Sequence, residues 1–194
     1  MIAVIDYDTG NLRSVANALS RLGAEFCVTD NHEQIISADK VLLPGVGEAA
    51  SAMAKLSERG LVELLPTLTQ PVLGICIGVQ LMCKYSEEGD AQCLGIFDSS
   101  VRKFSAESGL KVPHMGWNSI EELQSPLFDG VDEGSYIYYV HSYAPELCQE
   151  TIATTTYGIK YSAALCRDNF YGTQFHPEKS GGVGEKILSN FLKL

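Results

Sequence analysis

Residues 71–82 read PVLGICIGVQLM, an apolar run broken by two glycines that flank a cysteine. Val72 to Ile75 has the β-branched, unbroken apolar character of a strand buried on both faces, whereas Gly78 onward continues as an apolar helix. A strand that passes directly into a helix is half of a parallel crossover unit. The stretch therefore points to an α/β fold, with Cys76 at the junction.

The sequence on either side agrees. IAVIDY (2–7) is followed by a helical pattern with Leu12, Val15, Ala16, Leu19 and Leu22 on one face, then by EFCVTD (25–30). DKVLLPG (39–45) is a third strand, stopped by Pro44 and Gly45; a helix over about 48–58 and a shorter one before Pro71 come next. Such alternation marks parallel strands crossed over by helices. GVQLMCKYS (78–86) reads as the helix after the fourth strand. From about residue 93 short β-rich segments dominate: 116–123, 135–144, 151–158, 160–168 and 169–178. A closing helix carries Val183, Ile187, Leu188, Phe191 and Leu192 on its apolar side. No repeat or linker interrupts the chain, so residues 1–194 read as a single domain.

The formal net charge of −10, with acidic residues scattered along the chain, argues against a nucleic-acid partner. Six cysteines show no C-x-x-C pair, which suggests neither a metal site nor a disulfide framework. No apolar run approaches the roughly 18 residues of a spanning helix. A soluble, cytoplasmic protein without a cofactor is expected.

Gly74-Ile75-Cys76-Ile77-Gly78 has the form G-x-nucleophile-x-G at a strand-to-helix turn, where a side chain is pushed out above the sheet. A thiol there faces the start of a helix, and the Ile77 N–H points to where an oxyanion would form. Taken alone, Cys76 reads as a core residue more readily than as a nucleophile, because free cysteine is often fully buried. A nucleophile also needs a base and an orienter. His176-Pro177-Glu178 offers imidazole and carboxylate two residues apart, although a lone H-x-E is also an ordinary surface pair. His32 lies in a polar helix start, and His114 and His141 flank strands. Pro44-Gly45-Val46-Gly47 can turn backbone N–H groups toward a ligand, or can be simply a turn.

PGVG (44–47), GICIG with Gln80 (74–80) and HPE (176–178), in that order and at those separations, resemble the triad-type, class I glutamine amidotransferases. DYDTGN (6–11), PHMGWN (113–118), YVHSY (139–143) and FHPEKS (175–180) make the chain most similar, within that family, to the glutaminase subunits of imidazole glycerol phosphate synthase. The likeness runs the whole length. One departure is Asp8, where those subunits usually carry glycine.

The resemblance implies a flavodoxin-like, open, mostly parallel mixed sheet flanked by helices, with added antiparallel strands in the second half. It implies that Cys76 attacks the side-chain amide of L-glutamine and that His176, oriented by Glu178, gives a proton to the departing ammonia; water then releases glutamate from a thioester. Backbone N–H groups of Val46, Gly47 and Ile77 would hold the oxyanion, and Gly47, Gln80, Ser142 and Tyr143 the substrate. Strand-end packing is the plain alternative for Ser142 and Tyr143.

By the same resemblance, the ammonia passes to a separate (β/α)8-barrel synthase subunit in histidine biosynthesis. Asn11, Trp117, Tyr138 and Lys179 are its candidate contacts, although a lone tryptophan serves equally well in a core. Two other readings stay open: a glutaminase for pyridoxal phosphate, anthranilate or guanylate synthesis, and a non-catalytic redox sensor on the same scaffold. The sensor would have no need of HPE in register.

Overall fold

The computed structural model describes residues 1–8, 11–105 and 109–194, so Thr9 and Gly10 of the DYDTGN motif lie outside the described residues. Its first half follows the alternation in the sequence. β1 (Ile2–Ile5), α1 (Leu12–Arg21), β2 (Phe26–Thr29), α2 (His32–Ser37), β3 (Lys40–Gly45), α3 (Ala49–Glu58) and α4 (Leu61–Leu64) lead into β4 (Val72–Cys76) and α5 (Ile77–Met82). The chain then runs through β5 (Cys83–Ser86), β6 (Ala91–Gln92), β7 (Phe97–Lys103), β8 (His114–Ser119), β9 (Tyr136–His141), β10 (Tyr143–Pro145), β11 (Thr151–Tyr157), β12 (Ile159–Arg167) and β13 (Phe170–Thr173) to α6 (Gly181–Phe191).

The main sheet has seven strands in the order β11-β12-β13-β4-β3-β1-β2. From β2 to β13 all pairings are parallel, and β12 and β11 are added antiparallel. The expected fold class is thus observed. Successive strand residues face opposite sides. Ile2, Val4, Leu42, Leu73 and Ile75 pack against Val15 and Leu19 of α1 and Ile187, Leu188 and Phe191 of α6. Ala3, Ile5, Val41 and Leu43 pack against Ala52 and Leu56 of α3, Leu61 of α4 and Leu81 of α5. Both faces are covered, which is why these strands are continuously apolar.

Three expectations from sequence need correction. The helix read over 78–86 stops at Met82, and Cys83–Ser86 extends as β5, pairing with β6 and β7. The carbonyls of Leu81 and Cys83, which a longer helix would use, accept instead from the N–H groups of Leu94 and Gly95. The strand read over 169–178 ends at Thr173, and Pro177 opens a 3-10 turn, Pro177–Lys179. Residues 135–144 divide into β9 and β10: β9 pairs with β8, and β10 joins the four-stranded sheet β10-β7-β5-β6.

Two registers place the chemistry. Gly45 of β3 lies opposite Cys76 of β4, and Thr173 of β13 lies opposite Ile75. The PGVG segment and the QFHPE segment therefore leave the sheet on either side of Cys76, at the carboxyl ends of parallel strands, where open α/β sheets bind ligands.

Close packing of α5 holds this arrangement. A Cβ at Gly78 would stand 1.9 Å from the Leu43 carbonyl oxygen, and one at Gly74 would stand 2.7 Å from the Gly78 carbonyl carbon. Because the obstacle at Gly78 is backbone, Gly78→Ala should destabilise by about 2 kcal/mol, lowering Tm by about 4–8 °C. Gly182→Ala is the control, since a Cβ there meets nothing within 4 Å. Thermal unfolding should show Tm unchanged or raised for Gly182→Ala; an equal loss in both variants would contradict the packing account.

Candidate active site

Cys76 ends β4 with φ 55 and ψ −109, a left-handed conformation that a side-chain-bearing residue rarely adopts. The glycines on either side let α5 press against the sheet so that this geometry persists. Cys76 borders a pocket of about 290 Å³, together with Val46, Gly47, Ile77, Gln80 and His176. Ser142 and Tyr143 border it as well. The structure thus gathers the sequence-predicted catalytic, oxyanion and substrate-binding positions around one cavity, apart from Glu178, which stands behind His176.

His176 is fully buried, and its Nδ1 lies 2.7 Å from Glu178 Oε1. A carboxylate only accepts, so Nδ1 carries the proton and Nε2 is the nitrogen left for chemistry. Nε2 is buried and has no hydrogen-bond partner among the described residues. The backbone holds the ring in place: His176 N–H donates to the Tyr138 carbonyl (3.0 Å) and Ser180 Oγ to the His176 carbonyl (2.6 Å). Burial works against charge on the imidazole, but the Cys76 sulfur and the Glu178 carboxylate outweigh it and raise the ring to about 9. Burial also works against the Glu178 charge, yet hydrogen bonds from His176 and Asn11 leave the carboxyl below its ordinary range.

The other histidines are placed differently. Burial pushes His141 down to about 3 and His114 to about 4. His141 borders the pocket, but its Nδ1 donates to the Tyr143 carbonyl at 2.7 Å and its Nε2 lies 3.2 Å from His114 Nδ1. His114 stacks on Tyr157, with ring centroids 3.9 Å apart. His32 lies 2.8 Å from the Arg59 carbonyl. Among the described residues, only His176 pairs with a carboxylate beside the thiol.

Gln80 is buried, and its Nε2 donates to the Tyr143 carbonyl (3.0 Å) and to Gln174 Oε1 (2.9 Å). Its Oε1 has no hydrogen-bond partner among the described residues, which leaves one buried acceptor in the wall of the pocket. Beneath the PGVG segment, Tyr7 Oη donates to the Pro44 carbonyl at 2.8 Å. Gly47 has φ 103, which strongly favours glycine.

The candidate partner contacts separate. Trp117 and Tyr138 are cross-strand neighbours on β8 and β9, edge to face at 5.9 Å, and Trp117 is 54% exposed. Met115 and Tyr136 share that face and are exposed too, and Lys179 is exposed nearby in sequence to the triad. Asn11 differs. It opens α1 at φ 79, is half-buried, and donates its Nδ2 to Glu178 Oε1 at 2.6 Å.

Two residues at the site escape the sequence reading. Glu88, in the turn after β5, borders the pocket and accepts from the Ala49 N–H at 3.0 Å. Burial, partly offset by that bond and reinforced by Glu48, raises its carboxyl. Gln174 stands one position beyond β13, fully buried, with Nε2 3.8 Å from Cys76 Sγ. Its place directly before FHPE is the only signal in the sequence for it; Glu88 has none. At Asp8, φ is 59, so aspartate keeps a backbone conformation open to glycine, and Arg59 Nη2 holds its carboxylate at 2.5 Å.

Comparison with known proteins gives the same picture. Imidazole glycerol phosphate synthase subunit HisH of Bacteroides fragilis is 54% identical over 194 residues, covering 100% of this chain and 99% of that protein. The subunit of the same name from Shewanella sediminis is 48% identical, with 98% and 89% covered. A crystal structure of a glutamine amidotransferase superposes with a TM-score of 0.76 at 17% identity, covering 100% of this chain and 98% of the other, and so speaks for the fold. The family description glutamine amidotransferase class-I matches residues 3–194, and the chain belongs to that family.

Proposed function

We propose that this chain is the glutaminase subunit of an imidazole glycerol phosphate synthase, acting in the cytoplasm as a heterodimer with a (β/α)8-barrel synthase subunit in histidine biosynthesis. The observation that carries the reading is one pocket in which Cys76, on a strained strand-to-helix turn, shares a wall with a His176 whose far nitrogen is fixed by Glu178. Whole-length identity to subunits named for that synthase favours it over a glutaminase of another pathway. The His–Glu pair beside the thiol counts against a redox sensor.

In this mechanism the Cys76 sulfur attacks the carboxamide carbon of L-glutamine, forming a C–S bond. The oxygen takes the negative charge and is received by backbone N–H groups of Ile77 and the Val46–Gly47 segment. His176 Nε2 passes its proton to the amide nitrogen, the C–N bond breaks and ammonia leaves. Water, deprotonated by the same nitrogen, then attacks the thioester; glutamate departs and the sulfur is restored. An imidazole raised to about 9 is protonated at neutral pH, which suits the first proton transfer. Gln80 Oε1 is an acceptor for an N–H of the substrate, and Glu88 is the carboxylate that complements its α-ammonium group. The face of exposed Met115, Trp117 and Tyr136 with half-buried Tyr138 is the docking surface for the synthase, braced by the edge-to-face aromatic pair.

A glutamine-analogue diazoketone should modify Cys76 alone among the six cysteines, as read by peptide mass spectrometry. His176→Ala, assayed with the synthase, should lose about 10²–10⁴-fold in kcat while the fold, read by circular dichroism, is retained. Labelling spread over several thiols, or unaltered turnover, would refute these assignments.

The raised imidazole has a pH consequence. Its folded value lies above the ordinary 6.5, so the stability lent by the ring's charge is complete below 6.5 and is lost as pH rises through about 9. Since the Cys76 sulfur helps to raise the ring, Cys76→Ala should move the His176 titration, followed by imidazole NMR, to lower pH. An unmoved titration would show that the two side chains do not interact.

Trp117→Ala should weaken binding to the synthase by about 30-fold or more, the cost of losing a central aromatic anchor. Calorimetric titration gives the affinity directly, and an unchanged Kd would remove this face from the interface.

A further inference from the structure

Gln174 presents a problem that the proposed mechanism leaves unsolved. It is completely buried, and an amide at such a position costs free energy unless its groups are hydrogen-bonded. An apolar side chain of the same length would fill the volume without that demand. Its backbone N–H donates to the Ala163 carbonyl at 2.8 Å, so the main chain needs nothing from the side-chain amide there.

The hydrogen bonds around it run in one direction. The Tyr143 carbonyl can only accept, so the Gln80 atom 3.0 Å away is Nε2, a donor. The same Nε2 lies 2.9 Å from the Gln174 side chain, which must therefore present Oε1 to it. That fixes the other end of the Gln174 amide: Nε2, with its N–H, faces Cys76 Sγ at 3.8 Å. The Gln80 orientation is set by the backbone, the Gln174 orientation by Gln80, and the last donor ends on the sulfur. The same contacts leave Gln80 Oε1 unpartnered in the pocket wall.

We propose that Gln174 is a positioning residue with two tasks: its N–H holds the Cys76 sulfur ready for attack, and its carbonyl, as the second acceptor beside that of Tyr143, keeps Gln80 in place so that the outward Oε1 of that residue meets the substrate. The proposal rests on the reading of Cys76 as nucleophile and Gln80 as substrate contact. The two tasks use opposite ends of one amide, so they separate by substitution. Gln174→Met keeps the length and loses both ends. Gln174→Glu keeps an acceptor for Gln80 and loses the N–H toward sulfur.

The full chain carries the test. Iodoacetamide alkylation of Cys76 at neutral pH, followed by peptide mass spectrometry, reads the sulfur without needing the glutamine cradle. It should slow about tenfold in both variants, as expected for a lost hydrogen bond to a charged acceptor. In complex with the synthase, kcat should fall in both. KM for glutamine should rise about tenfold in Gln174→Met and stay within about threefold of wild type in Gln174→Glu. If Gln174→Met does not fold, the alkylation rate and KM of Gln174→Glu decide. A wild-type alkylation rate in either folded variant, or a KM raised equally in both, overturns the proposal. Failure of the underlying reading looks different: wild-type protein with its synthase would hydrolyse no glutamine, whatever the variants did.

Discussion

The structure depends on the close approach of α5 to β3 and β4. Gly78 lies against the Leu43 carbonyl and Gly74 against the first turn of α5, leaving no room for a Cβ at either place. This contact draws the helix down onto the strand it follows and forces the intervening residue to φ 55. A left-handed cysteine is unfavourable by itself and persists because the packing around it is stronger. The parallel registers then carry the consequence sideways: Gly45 beside Cys76 starts the PGVG segment at the same height, and Thr173 beside Ile75 brings Gln174 and His176 to the other flank.

Much of this was legible in the sequence because it is local. The apolar strands of the first half, their helices and the three motifs are contiguous runs whose residue types fit only a few conformations. The second half was less legible for physical reasons. FDSSVRK carries too few apolar residues to announce β7, and CKYS continues an apolar helix so smoothly that only the capture of the Leu81 and Cys83 carbonyls by Leu94 and Gly95 ends it. The same limit applies to the site. Glu88 and Gln174 owe their places to contacts with residues far away in sequence, and so does the Asn11 amide on Glu178.

Three buried histidines show how environment decides chemistry. His114, His141 and His176 all lie within the protein, and burial alone disfavours charge on each. Among rings and a backbone carbonyl, His114 and His141 stay neutral, and their role is packing. His176 has a carboxylate on one side and the Cys76 sulfur on the other, and its direction reverses. The H-x-E spacing matters because Pro177 opens a turn that bends Glu178 back to the ring it precedes. In an extended strand a carboxylate two residues on would share the ring's face but stand roughly 6.5 Å further along, beyond hydrogen-bond distance, and would leave the imidazole like its neighbours.

The exposed aromatic face and the His176 turn are parts of one piece of backbone. Half-buried Tyr138 packs its ring edge to face on exposed Trp117, while its carbonyl accepts from the His176 N–H and its own N–H donates to Ser180 Oγ, which in turn donates to the His176 carbonyl. One residue thus belongs to both the proposed docking surface and the support of the proposed base. Asn11 closes a second link from the first loop to Glu178. Coupling between sites needs a contiguous physical connection, and here one backbone hydrogen bond and a short serine bridge supply it between Tyr138 and His176. A partner that shifts β9 must shift the peptide groups holding the imidazole, so in the proposed complex the surface that recognises the synthase is also a surface through which the base can be aimed.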